Sequence, residues 1–112
     1  DAEVGACGGT AVVPTGLAFE VPAGWALMIY SRSGHGFKNG VRLVNSVGVI
    51  DSDYRGEVLV GLRNESALRF NVRHGDRIAQ AMLVQSPVVD FEACAELGDT
   101  ARGMGGFGST GF

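Results

Sequence analysis

Cysteines, basic runs and long apolar stretches are scarce or missing in this 112-residue sequence. Its two cysteines, Cys7 and Cys94, show no Cys-x-x-Cys spacing, and no histidine cluster accompanies them, which argues against a disulfide scaffold and against a zinc site. Nine Lys and Arg residues against twelve Asp and Glu give a formal charge of -3, so we expect no nucleic-acid partner. No apolar stretch approaches the ~20 residues of a membrane span, and residues 1–9 lack a signal-peptide pattern. We therefore expect a soluble, cytoplasmic protein without a membrane partner.

The sequence does contain many short, β-branched segments separated by glycine, proline, asparagine or aspartate. Its 46% of hydrophobic residues is enough for the core of one compact domain. No segment keeps a period of about 3.6 residues, so the pattern predicts an all-β sandwich or barrel without a helix longer than one or two turns. The expected strands are residues 11–13, 17–21, 26–30, 41–44, 57–63, 68–72, 78–84 and 88–91. Residues 103–111 include five glycines and cannot build a core of their own.

The most informative segment is residues 45–57, with the sequence Asn-Ser-Val-Gly-Val-Ile-Asp-Ser-Asp-Tyr-Arg-Gly-Glu. Apolar residues 41–44 precede it and residues 58–62 follow it, which predicts a hairpin whose tip carries two carboxylates and a tyrosine. Asp51 at this tip can stay ionised and accept a proton from water, or it can cap the turn. Tyr54 offers a flat ring to a sugar, or it packs as an ordinary strand tyrosine. The segment alone leaves both alternatives open.

Three further segments accompany it: residues 31–34 (Ser-Arg-Ser-Gly), residues 75–80 (Gly-Asp-Arg-Ile-Ala-Gln) and the glycine-rich residues 102–111. In order and spacing, the four segments resemble four of the five motifs of the trimeric dUTPase family. The resemblance begins near Val13 and covers nearly all of the chain after it. The first motif of the family, an Ala-Gly-x-Asp-Leu-like segment, is missing from residues 1–9. We therefore expect the N-terminal strand and first motif to be absent, in either a shortened chain or a divergent member.

The resemblance implies a distorted jelly-roll or β-barrel domain over residues 1–100 and a flexible glycine-rich arm over residues 101–112 that closes on the active site. It also implies a dUTP diphosphatase, which supplies dUMP for dTMP synthesis and keeps uracil out of DNA. In this reading Asp51 activates the water that attacks the α-phosphorus, and Tyr54 packs under the deoxyribose and excludes a 2′-hydroxyl. Asn45 contributes an amide contact to the nucleotide. The backbone around the hairpin reads uracil, at Gly48, Val49, Ile50 and Leu59.

The remaining expected contacts are to the phosphates and come from the other three segments. The resemblance assigns the β- and γ-phosphates to Arg32, Ser33 and Gly34, and it places Gln80 near the α-phosphate. In the arm, Phe107 stacks on the base and Arg102 meets the γ-phosphate. The arm's further donors are Gly108, Ser109 and Thr110. Magnesium is held mainly through substrate phosphates and water, with no metal ligand from this chain, and a homotrimer forms each shared site from different subunits.

Two other functions are compatible with the same fold. The first is a dCTP deaminase, which needs a catalytic glutamate and an arm of different composition. The second is a nucleotide-sensing or protein-binding module that binds nucleotide without turning it over. Asp51 and Phe107 favour hydrolysis over deamination. Binding of nucleotide without pyrophosphate release would identify the second alternative. Asp53 is assigned to holding the turn, and His35, which replaces the usual apolar residue of the family, receives no catalytic role.

Overall fold

A computed structural model describes residues 1–111 of the chain, which form eight strands and one short helix. The strands are β1 (Ala2–Val4), β2 (Gly9–Pro14), β3 (Trp25–Tyr30), β4 (Val41–Leu43), β5 (Val47–Ile50), β6 (Leu59–Asn64), β7 (Phe70–Val72) and β8 (Gln80–Gln85), and the helix is α1 (Ser33–Asn39). The predicted all-β class is confirmed, and the helix stays within the expected two turns. Within residues 1–111, no helix has the length and apolarity needed to cross a membrane.

The strands form three small antiparallel sheets, with the orders β2-β6-β4, β5-β3-β8 and β1-β7. Strand β6 illustrates how the sheets build the core. Its buried residues alternate with exposed or half-buried ones, so one face of the strand carries Val60 and Leu62 into the core. Buried residues from all three sheets, including Ile29 of β3 and Val4 of β1, join them in one cluster. The pairings among the described residues give a jelly-roll-like arrangement and do not close into a barrel.

Residues 45–57 do more than turn the chain. Strands β4 and β6 pair as the predicted hairpin, with Leu43 opposite Leu62. The connection between them, however, contains strand β5. This strand belongs to the neighbouring sheet, where it pairs with β3. The expectation of a simple hairpin tip was therefore wrong, because residues 47–50 find a pairing partner in β3. As a result, the connection links two sheets and its polar residues follow β5.

Two expected strands do not form. Residues 17–21 lie between Pro14 and Pro22 and have no strand assignment, although the Leu17 carbonyl accepts a hydrogen bond from the Val58 amide at 2.8 Å. Residues 88–91 also stay outside every sheet, with Val88 and Phe91 almost fully exposed. β-Branched composition favours a strand only where a neighbouring strand pairs with it, and neither segment has one here. Strand β1, in contrast, was not expected.

The last quarter of the chain leaves the core. After β8, residues 86–111 contain no helix or strand, and most of their side chains are exposed. The radius of gyration is 19.0 Å, whereas a compact domain of this length has about 13 Å. The segment expected to form the arm, residues 101–112, shows consecutive turns such as the one closed by the Ser109 amide on the Gly106 carbonyl. Its final residue, Phe112, lies outside the described residues.

One buried polar side chain holds three parts of the fold together. Asn64, at the end of β6, has an exposed fraction of 0%. Its amide nitrogen donates to the Val4 carbonyl at 3.2 Å and to the Leu68 carbonyl at 2.7 Å. Its amide oxygen accepts from the Ser66 amide at 3.0 Å and the Ser66 hydroxyl at 2.8 Å. All of its polar atoms are therefore paired, which is what makes burial of an amide tolerable.

Replacing this side chain should destabilise the protein measurably. In Asn64→Ala, buried carbonyls and the Ser66 amide lose their partner, and we expect a loss of roughly 2–4 kcal/mol in the free energy of unfolding. Asn71→Ala on the neighbouring strand β7, where the side chain is exposed, is the control and should change the value by less than about 0.5 kcal/mol. Urea denaturation of both variants measures the difference. Equal stabilities would remove Asn64 from this role.

Candidate nucleotide-binding site

A cavity of about 250 Å³ opens between the two larger sheets. We call it the β5–β6 cavity, because those two strands supply most of its wall. Its lining residues are Ile29, Leu43, Val44, Asn45, Gly48, Val49, Ile50, Val58, Leu59, Val60 and Gly61. Five of the residues predicted from the sequence to bind substrate are among them, namely Asn45, Gly48, Val49, Ile50 and Leu59. The cavity is thus built where the connection crosses from one sheet to the other.

Strand β5 is the edge of its sheet, and this shapes the cavity. It pairs with β3 on one side only, so its other side presents backbone N–H and C=O groups without a strand partner. Gly48 lies opposite Ile29 in this pairing. A Cβ atom at residue 48 would come within 3.1 Å of the Ile29 Cβ atom, which is tighter than an ordinary contact, so a side chain there would require a small shift of Ile29. The wall therefore combines mostly apolar side chains with the backbone hydrogen-bonding groups of β5.

The loop after β5 carries the remaining hairpin residues. Asp51 directly follows the lining residue Ile50 and is exposed. Its carbonyl accepts a hydrogen bond from the Tyr54 amide at 3.2 Å, which closes a turn. The Tyr54 hydroxyl donates to the Glu57 carbonyl at 2.9 Å, while 43% of the residue stays exposed. A Cβ atom at Gly56 would lie 2.5 Å from that hydroxyl, so the tyrosine ring rests across the glycine.

Glu57 also fixes this loop, although its role was missed in the sequence. One of its carboxylate oxygens accepts a hydrogen bond from the Gly16 amide at 2.7 Å. The loop is thereby joined to the chain that follows β2. The two residues are 41 positions apart, and no local pattern around Glu57 points to Gly16.

The residues expected at the phosphates lie at the start of α1. Arg32 is the N-cap residue in an extended conformation, and Ser33 and Gly34 form the first helical turn. The side-chain amide of Gln80 donates to the Ser31 carbonyl at 2.9 Å, so this segment is tied to the start of β8. The Ser31 hydroxyl accepts from the Leu43 amide at 3.0 Å.

A second cavity, of about 450 Å³, borders this segment. Arg32, Lys38 and Arg77 line it together with one carboxylate, Asp76, so its charged groups are mainly cationic. A third cavity of about 540 Å³, the largest of the three, lies between β2 and residues 72–81. Gln80 is the one predicted site residue that lines it.

The predicted residues thus fall into three groups within one chain. The β5–β6 cavity and the second cavity, which Arg32 lines, share no lining residue. The residues of the arm line none of these cavities, and Phe107 is fully exposed. A single chain therefore does not bring the β5–β6 cavity, residues 31–34 and the arm together.

The family model of dUTPase matches residues 1–111 of this sequence. This chain belongs to the dUTPase family. A curated relative from Desulfitobacterium hafniense, named deoxyuridine 5'-triphosphate nucleotidohydrolase, is 50% identical over 100 residues, which cover 88% of this chain and 66% of the relative. The chain thus spans about two thirds of the length of the curated relatives it matches.

Solved dUTPase structures share the fold. The Streptococcus mutans dUTPase superposes with a TM-score of 0.74 at 30% identity, covering 80% of this chain and 74% of the other. The dUTPase of Staphylococcus bacteriophage 80alpha, a G164S mutant with dUpNHpp, superposes with a TM-score of 0.89 at 22% identity, covering 99% of this chain and 80% of the other. The jelly-roll-like dUTPase fold is therefore the fold of this chain.

Proposed function

We propose that this dUTPase-family chain hydrolyses dUTP to dUMP and pyrophosphate, with the base in the β5–β6 cavity and Asp51 immediately beyond it. The observation that carries the proposal is the gathering of Asn45, Gly48, Val49, Ile50 and Leu59 around one cavity. A pocket lined mainly by hydrophobic side chains, with a few placed polar groups, is typical of a small-molecule site. The name of the Desulfitobacterium hafniense relative supports the same substrate.

The edge of β5 is suited to reading a base. Its free backbone groups can pair with the edge of uracil in the way that an added strand would pair. Cytosine presents a different order of donors and acceptors and would leave some of these groups unpaired. Gly48 and Ile29 both line the cavity, so the space beside the base is bounded where their two strands pair. Backbone pairing and limited space together select uracil.

Tyr54 is proposed to select the sugar. Its hydroxyl is held by the Glu57 carbonyl and its ring lies across Gly56, so the ring is fixed in place while 43% of the residue remains accessible. A deoxyribose can pack on this ring. A 2′-hydroxyl would have to be buried against it without a partner, which is unfavourable.

Tyr54→Ala should reduce discrimination against ribose. Without the ring, UTP loses less than dUTP, and we expect the ratio of their kcat/KM values to move toward UTP by roughly 10-fold, which is about 1.4 kcal/mol. Steady-state kinetics with both substrates gives this ratio. Tyr54→Phe is the control, since it keeps the ring and loses only the hydroxyl. An unchanged ratio in the alanine variant would make Tyr54 a packing residue only.

The chemical step assigned to Asp51 is general-base catalysis. A water molecule attacks the α-phosphorus in line, its proton passes to the Asp51 carboxylate, and a new P–O bond forms. The bond between the α-phosphorus and the oxygen bridging to the β-phosphate breaks, and pyrophosphate leaves with that electron pair. Asp51 lies at the end of a paired strand, so its backbone is held in position while its exposed side chain remains accessible to water.

The phosphates are assigned to the start of α1. Arg32 supplies a guanidinium for bidentate contacts, and Ser33 and Gly34 supply backbone N–H groups and a hydroxyl to the β- and γ-phosphates. Gln80, already bonded to the Ser31 carbonyl, lies beside this segment, where its amide reaches the α-phosphate. Arg102 of the arm is assigned to the γ-phosphate.

Magnesium enters with the substrate. Among residues 1–111 no group of three or more His, Cys, Asp or Glu side chains is placed to hold a metal ion. The proposed cation is held mainly by phosphate oxygens and water, as Mg²⁺ is in many phosphate-transfer sites. When bound, Mg²⁺ neutralises charge on the leaving pyrophosphate.

The arm is proposed to close over the bound nucleotide. Phe107 stacks on the base, and Gly108, Ser109 and Thr110 donate N–H and O–H groups to the phosphates. In the single chain Phe107 is fully exposed. An exposed aromatic on a glycine-rich segment is suited to stacking on a nucleotide that arrives from solution.

A homotrimer would bring the three separate groups together, because neighbouring subunits can supply the phosphate segment and the arm to each cavity. Two apolar surfaces of the single chain support the assembly. Met82 and Val49 lie across from Met28 on the sheet face away from the buried Ile29, and both are more than half exposed. Val88 and Phe91, in the segment leading to the arm, are 92% and 99% exposed. Analytical ultracentrifugation should give three times the mass of one chain.

Pyrophosphate release in the presence of magnesium tests the activity. The substrates are dUTP, dCTP, dTTP and UTP at equal concentration, and the expected result is turnover of dUTP far above the other three. Ammonia release from dCTP would assign the chain to deamination instead. Binding of dUTP with no pyrophosphate release would assign it to nucleotide sensing.

A further inference from the structure

The least stable element of the proposed site is the helix that carries its phosphate segment. Helix α1 has seven residues, no buried residue and no side-chain hydrogen bond at its N-cap. Two of its residues, Gly34 and Gly36, are glycines, and each disfavours a helix by about 1 kcal/mol relative to alanine. A helix this short is not stable alone. Its position must therefore come from contacts with the rest of the fold.

His35 provides such contacts between the two glycines. Its Nε2 atom lies 2.8 Å from the Arg77 carbonyl oxygen. Because a carbonyl can only accept, Nε2 carries the proton, which leaves Nδ1 as an acceptor in the neutral ring. The Asn39 amide is in place to donate to Nδ1 at 3.3 Å. The ring also meets the Phe70 ring edge to face, with 5.1 Å between centroids.

These contacts join three elements at one side chain. Asn39 belongs to α1 itself, Phe70 to β7, and Arg77 to the segment that leads into β8. Gln80, three residues beyond Arg77, makes a second hydrogen bond between these two parts of the chain, because its side-chain amide donates to the Ser31 carbonyl. Arg32, Ser33 and Gly34 lie between the two residues that make these hydrogen bonds, Ser31 and His35. The orientation of their backbone therefore depends on both bonds.

We propose that His35 is a positioning residue that holds the first turn of α1 in the orientation needed to bind the substrate's terminal phosphates. The proposal rests on the proposed function. In this proposal His35 acts on the phosphates through Arg32, Ser33 and Gly34, although it lines the same cavity as Arg32 and Gly34. A leucine would fill similar space against Phe70 but could not donate to the Arg77 carbonyl. The polar contact, rather than apolar filling, is what orients the helix.

The test compares three variants of the full chain. His35→Leu removes the hydrogen bond to Arg77. His35→Gln keeps a donor near the position of Nε2. His74→Leu makes the same chemical change at the other histidine, which is exposed and lies outside the phosphate segment. Isothermal titration calorimetry measures the affinity of each for dUMP and for a non-hydrolysable dUTP analogue with magnesium.

We expect His35→Leu to weaken analogue binding by about 3- to 10-fold, the effect of one lost hydrogen bond. Its affinity for dUMP should stay at the wild-type value, because dUMP lacks the terminal phosphates. His35→Gln should restore analogue binding, and His74→Leu should bind both ligands as the wild type does. Wild-type analogue binding by His35→Leu, equal weakening for dUMP, or no rescue by glutamine would each overturn the proposal.

A measurement without nucleotide separates this proposal from the proposed function. Hydrogen exchange of the backbone amides of α1 should be faster in His35→Leu than in the wild type and unchanged in His35→Gln. If the wild type bound neither ligand, the proposed function would fail while this measurement still reported whether His35 holds the helix. Equal exchange in all variants would show that it does not.

Discussion

Asp51→Asn is expected to lower kcat for dUTP by at least about 100-fold, the lower range for loss of a general base. Asparagine has nearly the same shape, so the turn closed by the Asp51 carbonyl and the Tyr54 amide is preserved. The amide cannot take the proton of the attacking water. Binding of a non-hydrolysable analogue should therefore stay close to the wild-type affinity while turnover falls. Pyrophosphate release and calorimetry on the same preparation measure the two effects.

Asp53→Asn is the matched control for this experiment. It makes the same substitution two residues later, at another exposed position of the same loop. Because Asp53 is assigned to the turn, its variant should retain most of the wild-type turnover. If both variants lost activity equally, the loop's charge rather than a base at Asp51 would explain the loss. Near-normal turnover in Asp51→Asn would exclude Asp51 as the base.

The second large effect is expected from removing the arm. A chain that ends at Thr100 should keep its β core, because none of the described residues 101–111 belongs to the buried cluster. It should lose roughly 10- to 100-fold in kcat/KM for dUTP, since stacking of one base on an aromatic ring contributes about 1–3 kcal/mol. Circular dichroism and sedimentation check the core and the assembly, and pyrophosphate release measures the loss.

Two point variants locate the effect within the arm. Phe107→Ala removes the only aromatic ring between residues 101 and 111 and should account for most of the loss. Met104→Ala removes an equally exposed apolar side chain three residues earlier and should have little effect. Protection of residues 102–110 from hydrogen exchange should appear only with the analogue and magnesium. A shortened chain as active as the full one would contradict the closing role of the arm.

Five residues predicted from the sequence to contact the nucleotide line one cavity because they are close along the chain, and their role there stays a prediction. Asn45, Gly48, Val49 and Ile50 lie within six positions, and Leu59 begins the strand that returns beside them. The hairpin pairing of β4 with β6 follows from two apolar runs around a polar connection. Local pattern was sufficient here, since the elements that build the wall are sequence neighbours.

The failures share a different physical origin. Residues 17–21 and 88–91 have the composition of strands, yet composition does not specify a pairing partner. Strand β5 was read as part of the hairpin tip between two apolar segments, because its pairing partner β3 lies outside that stretch of sequence. His35 and Arg77 are 42 positions apart. Contacts of this kind depend on the packed fold, and no window of sequence contains them.

The unpaired edge of β5 also affects how the protein can change. If the base is read by main-chain atoms, an alanine scan across Val47, Val49 and Ile50 leaves the recognising groups in place and underestimates their importance. Gly48 is the exception, because a side chain there would require Ile29 to shift by a few tenths of an ångström. Side chains at Val47, Val49 and Ile50 can be substituted without altering which base is bound. Directed evolution toward another base would have to shift the backbone of β5 itself. Replacing single backbone amides of β5 by esters is the direct way to map the hydrogen bonds that such a shift would break.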